Sequence, residues 1–135
     1  ITYDTYKYQN IVSYVFTIFI DTGGAHPNTI IETISYNTKD NILITIDSLI
    51  EENNNILDKL SKESRLILAK NSNLKQENIQ DMILDGTLPK KENFSNFAFT
   101  DKGLLVFFNR YQIAPYSFGS FNITIPYFDL DILKR

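Results

Sequence analysis

The sequence predicts an α+β domain, a largely antiparallel β-sheet with two or three helices packed on one face. Three observations carry this. Alternating apolar residues dominate both ends of the chain, residues 2–46 and 94–125. Helical periodicity is confined to the segment between them. Short clusters of Asn, Asp, Lys and Gly separate neighbouring strands by too few residues for anything but hairpins.

Residues 2–20 read as strand. Val12, Tyr14, Phe16, Ile18 and Ile20 share one apolar face by period two, and Ser13, Thr17 and Asp21 lie on an opposite, partly wet face. Asp21–Asn28 is a loop with two adjacent glycines and a proline at its exit. Ile30–Tyr36 resumes as strand, Asn37–Asn41 is turn chemistry, and Ile42, Ile44 and Ile46 alternate as the second arm of a hairpin.

Helix begins after Ile46. Ser48 and Glu51 have the spacing of a capping box, in which hydroxyl and carboxylate satisfy free backbone N–H groups. The triple Asn53–Asn55 breaks the element, because short amide side chains compete for the backbone. Ile56, Leu57, Leu60, Ile67 and Leu68 then form one helical stripe. A shorter helix is expected over about Lys75–Asp85, with Ile79, Met82 and Ile83 inward and Gly86 as its stop. Pro89–Asn93 is a polar connector. Phe94, Phe97 and Phe99 precede the turn Asp101–Gly103, and Leu104–Phe108 completes a second hairpin. Residues 109–120 are irregular, Phe121–Ile125 is strand, and Pro126 opens a terminal helix carrying Phe128, Leu130, Ile132 and Leu133.

At 135 residues the chain fits one domain over 1–135, long enough to need no covalent staples. It has no cysteine, which removes disulfides, thiolate nucleophiles and Cys-based zinc sites together. A single histidine, His26, excludes His-rich metal sites, so neither metal nor cofactor is expected. A net charge of −3 gives no support to a nucleic-acid footprint, which needs clustered Lys and Arg. The 19 Ile and 14 Asn are read both as β preference and as the product of an AT-rich genome, so composition assigns no activity. No apolar run reaches the roughly 18 residues of a membrane span. A start at Ile1 with no charged leader reads as a piece of a longer protein, with any anchor or signal upstream.

His26 sits in a glycine loop, where a general base would need an orienting acid and a nucleophile. Asp21 and Asp4 are candidates for the first role, Ser13 and Ser117 for the second. No G-x-S-x-G elbow exists, and the structural alternative is an imidazole that locks the loop by bonding backbone. The acid pairs Glu51–Glu52, Asp81–Asp85 and Asp129–Asp131 are read as solvated helix faces and termini rather than glycosidase carboxylates. The densest feature is Asn109–Gly119, with Tyr111, Tyr116 and Phe118 around Pro115. Aromatic rings with polar tips on a constrained loop suit recognition of sugars or proteins, and the competing reading is a plug over the sheet end.

Two stretches together carry a resemblance. The first runs from Val12–Phe16 through Asp21–Asn28 into the turn Asn37–Asn41 and Leu43–Leu49, and the second joins Phe107–Gly119 to Ile123–Tyr127. In this order and spacing, over roughly residues 12–133, the chain resembles the extracytoplasmic C-terminal domain family of the lysozyme-sensing anti-sigma factor RsiV. That domain type is also found in some peptidoglycan deacetylases and in uncharacterised lipoproteins. The resemblance implies a non-catalytic binding or sensing domain outside the cytoplasm, secreted or anchored upstream, with a lysozyme-like protein or peptidoglycan fragments as partner. Its alternatives are a cell-wall hydrolase working through His26, a deacetylase accessory domain, and a purely structural module. The motif residues Gly23, Gly24, His26, Asn28, Tyr111, Pro115, Tyr116 and Gly119 are the candidates for a contact surface or for the fold itself.

Overall fold

The computed structural model describes residues 1–25 and 27–133. The α+β class holds, with the antiparallel strands divided between two sheets. The first sheet is a meander of β1 (Thr2–Tyr8), β2 (Ile11–Ile20), β3 (Asn28–Asn37) and β4 (Ile42–Ile44), in that spatial order. The second is a meander of β5 (Phe97–Thr100), β6 (Gly103–Phe108) and β7 (Phe121–Ile125). Between them in sequence lie α1 (Ile46–Glu52), α2 (Ile56–Leu68) and α3 (Gln80–Gly86), and α4 (Tyr127–Leu130) follows β7.

Several boundaries differ from the sequence reading, each for a local reason. The stretch 2–20 is two strands, turned at Gln9 and Asn10, with Gln9 at φ 54° and Tyr8 paired with Ile11. The strand expected through Ile46 stops at Ile44 because Thr45 caps α1. Thr45 Oγ1 accepts from the Ser48 N–H and the Thr45 N–H donates to Ser48 Oγ, so the capping box stands one turn before the Ser48–Glu51 pair. The asparagine triple does divide the helices: the Asn53 N–H closes α1 on Leu49, and its Oδ1 accepts from the Asn55 N–H ahead of α2. Two short 3₁₀ turns, Ser72–Leu74 and Glu77–Ile79, precede α3. Gly86 ends α3 without a left-handed φ. It is needed because the backbone of Gln112 passes where a Cβ would sit. In the terminal helix Leu130 is buried, whereas Phe128 is 91% exposed.

The core lies between the second sheet and the helices. Phe94, Phe99, Leu104 and Phe108 meet Ile56, Leu60 and Leu68 of α2, with Ile79 and Leu130 closing the ends. The first sheet contributes one buried strand residue, Ile11, to that cluster. Its facing is the reverse of the sequence reading. Ile11, Ser13 and Val15 point inward, whereas Tyr14 is 38% and Ile20 37% exposed on the outer face. Tyr14 and Phe16 stack there at 6.3 Å, with Tyr3 of β1 6.2 Å from Tyr14.

Polar residues occupy the inner face because a strand edge must be satisfied there. The free edge of β5 lies against it, and side chains of the first sheet stand in for a neighbouring strand. The Phe99 N–H donates to Ser13 Oγ (2.9 Å), which is also bonded to Ser35 Oγ (2.7 Å). The Phe97 N–H donates to Thr33 Oγ1 (3.0 Å). Buried backbone groups need partners, and hydroxyls supply them without a continuous ladder.

Candidate functional site

The irregular segment after β6 is pinned from within by two amide side chains. β4 pairs only with Ser35–Asn37, so the earlier part of β3 has a bare edge. Asn109 fills part of it: the Ile31 N–H donates to Asn109 Oδ1 (2.7 Å) and Asn109 Nδ2 donates to the Ile31 carbonyl (3.1 Å). Asn96 accepts from the Thr33 N–H beside it (3.1 Å). Gln112 anchors the other side, donating from Nε2 to the carbonyls of Gly86 (3.0 Å) and Asn93 (2.9 Å), while its Oε1 accepts from the Asn109 N–H. Ile113 and Ala114 are buried beneath. The loop is therefore a rigid mount rather than a free excursion.

This mount presents an aromatic group. Tyr111 is 55% exposed and holds φ at 71°, a left-handed conformation that an aromatic residue adopts at a cost of about 1–3 kcal/mol. Its ring centroid lies 5.6 Å from that of Tyr116. The Arg110 guanidinium lies over the Tyr116 ring, Cζ 4.4 Å from the centroid, and Nη1 donates to the Tyr116 carbonyl (3.1 Å). Pro115 leads into the turn Tyr116–Phe118, and Gly119 follows at φ 77° and ψ −161°, a region reserved for glycine.

The glycine loop meets this group directly. The Tyr116 hydroxyl donates to the Pro27 carbonyl at 2.5 Å, joining the two segments singled out from sequence. Gly23, at φ 79°, donates its N–H to Asp21 Oδ1 (3.1 Å), and Gly24 is exposed beside it. Asn28 stands one residue past the contact, and its Oδ1 is buried with no hydrogen-bond partner among the described residues. His26 lies outside the described residues.

The catalytic candidates are scattered. Ser13 is sealed in the seam between sheets, Ser117 is exposed on the tyrosine loop, and Asp21 is occupied by its own turn. Glu52 Oε2 accepts from the Leu133 N–H, holding the C-terminal segment onto α1. Among the described residues no three acidic or histidine side chains converge as metal ligands. Sequence reasoning missed Asn109, Arg110 and Gln112. The available signal was three polar residues between Phe108 and the apolar Ile113–Ala114, a place where polar side chains persist only if something bonds them.

Comparison with known proteins bears on the family and the fold. Residues 35–128, from the last turn of β3 into α4, match the profile of the family described as protein of unknown function, DUF3298. The chain is 35% identical over 128 residues to the peptidoglycan-N-acetylmuramic acid deacetylase PdaC of Bacillus subtilis, covering 94% of this chain and 27% of that protein. It is 30% identical over 114 residues to Esterase Rv3036c of Mycobacterium tuberculosis, covering 84% of this chain and 48% of that one. The chain thus spans about a quarter and a half of these two relatives. A DUF3298 family protein of Pseudomonas aeruginosa has the same fold, with a TM-score of 0.69 at 17% identity over 96% of this chain and 58% of that one. One from Bacteroides fragilis gives 0.66 at 20% identity, over 93% and 49%. From the profile match across most of its length, the chain belongs to the DUF3298 family.

Proposed function

We propose that this chain is a non-catalytic binding domain of the cell envelope that recognises peptidoglycan-type glycan through the joined glycine and tyrosine loops. The observation that carries the reading is the Tyr116–Pro27 contact, which builds one surface from two distant segments and leaves the Tyr111 ring exposed on it. An exposed ring held in a strained backbone by a rigid mount is suited to stacking on a sugar face. The likeness to a peptidoglycan deacetylase, of which this chain covers 27%, supports the choice of ligand class. The Ser13 hydroxyl is already occupied by structure, which weighs against a serine nucleophile there.

The test is co-sedimentation of the purified chain with insoluble peptidoglycan, alongside titration with lysozyme. Binding to peptidoglycan that drops on Tyr111→Ala supports the reading. Binding to lysozyme alone replaces it with protein sensing of the RsiV kind. Binding to neither removes both, and release of acetate or reducing ends by the chain itself overturns the non-catalytic part.

A further inference from the structure

Arg110 is a cation in this surface that no carboxylate among the described residues neutralises. The chain is acidic, with 16 Asp and Glu against 13 Lys and Arg, so a half-buried cation has many carboxylates to choose from. Among the described residues the guanidinium nevertheless meets none; its contacts are the Tyr116 carbonyl and the Tyr116 ring. Arg65 makes the contrast. It is also half-buried, but Nε donates to Thr87 Oγ1 and Nη2 to the Leu84 carbonyl at the end of α3, a purely internal use.

Arg110 is also fixed in orientation. Its Cζ lies 4.4 Å from the Tyr116 ring centroid, the Tyr116 hydroxyl is tied to Pro27, and the backbone on either side is pinned by Asn109 and Gln112. A guanidinium has five N–H donors, and among the described residues one is used. The remaining fork is preorganised for a planar two-oxygen acceptor, beside the exposed Tyr111 ring.

We propose that Arg110 receives a carboxylate carried on a short arm of an N-acetylhexosamine whose ring face stacks on Tyr111. This rests on the glycan-binding reading above and specifies the ligand within it. Two sources carry that chemistry, the lactyl acid of stem-free muramic acid and the carboxylate of a short peptide stem. The tyrosine pair supplies the apolar face, and the guanidinium separates acidic from neutral sugars.

The test is NMR titration of the full chain with N-acetylmuramic acid, its methyl ester, muramyl dipeptide and N-acetylglucosamine. The acid or the dipeptide, whichever places its carboxylate correctly, should bind at least about tenfold more tightly than the ester and the neutral sugar, the size of one charge-assisted bond. It should shift the Arg110 Nε–H and Tyr111 ring resonances and weaken as salt rises. Arg110→Gln should remove the preference, with Arg110→Lys recovering only part of it. Binding of the ester or the neutral sugar by the unaltered chain as tightly as both the acid and the dipeptide overturns the proposal and needs no variant that must fold. A folded Arg110→Gln protein that keeps the preference overturns it too. Retained co-sedimentation with peptidoglycan in either case leaves the broader reading standing, whereas its loss removes both.

Discussion

Replacing Asn109 by Ala tests whether one carboxamide substitutes for a missing strand. The substitution deletes both bonds to Ile31, at 2.7 and 3.1 Å, and strands an N–H and a carbonyl on the edge of β3. Each neutral bond contributes about 1 kcal/mol net, and an unsatisfied group costs about 1–3 kcal/mol, partly recovered by water because the site is half-buried. The expected loss is about 2–3 kcal/mol. Unfolding entropy near 2.1 cal/mol/K per residue amounts to about 0.28 kcal/mol/K over 135 residues, so Tm should fall by about 7–11 °C. Urea unfolding followed by circular dichroism measures the first figure through a lower midpoint at constant slope. Amide exchange supplies the local check: the Ile31 N–H should lose protection while that of Thr33, held by Asn96, changes less. A stability within about 0.5 kcal/mol of the parent, with Ile31 exchange unaltered, would refute the strand-substitute argument.

Three further outcomes are expected. Gly86→Ala places a methyl group against the Gln112 carbonyl and Ile113 Cγ2, where one collision partner is backbone, and should cost about 3 kcal/mol or more in urea unfolding. Ser64→Ala goes the other way: its Oγ is buried inside α2 without a partner among the described residues, so removal should leave stability unchanged or raise it by about 0.5–1 kcal/mol. Burial pushes the Tyr127 phenol well above its ordinary value of 10.0, while its hydroxyl donates to the Thr100 carbonyl. The unfolded chain therefore loses this proton before the folded one does, so the contribution is intact below pH 10 and declines above it; Tyr127→Phe should make stability fall less steeply in that alkaline range.

The strands were legible because their signal is local. Asn37 and Ile42, and Thr100 and Gly103, close hairpins at turn chemistry visible in the sequence. The turn between Tyr8 and Ile11, made by Gln9 and Asn10 without glycine or proline, instead reads through as strand. The facing of β2 was not legible. Its even-numbered residues are the more apolar set, yet the odd-numbered Ile11, Ser13 and Val15 are inward, and Ser13 there serves the edge of a strand 86 residues away. Thr45 was hidden for a similar reason, since a β-branched residue after two isoleucines reads as strand until its hydroxyl is seen capping α1. In the candidate site the aromatic and glycine positions stood out by type, and the two loops meet at Pro27 and Tyr116. Asn109, Arg110 and Gln112 did not stand out, because an amide or guanidinium reveals its role only through partners remote in the chain.

The hydroxyl-lined seam gives the molecule a preferred line of opening. The first sheet is a meander, Ile11 is the fully buried residue its strands give to the main apolar cluster, with half-buried Tyr8 and Ile44 packed against it, and side-chain hydroxyls and amides tie it to β5 and the tyrosine loop. Its separation from the rest exposes much less apolar surface than global unfolding does, so it is a sub-global event of lower free energy. The amides of Ile31, Thr33, Phe97 and Phe99 should then exchange together, as one cooperative unit, ahead of the amides bonded inside either ladder. Because Tyr116 is held by Pro27, on the loop entering β3, the same event disassembles the binding surface. A ligand seated on that surface would act as a clasp across the two halves, slowing their separation in proportion to its occupancy.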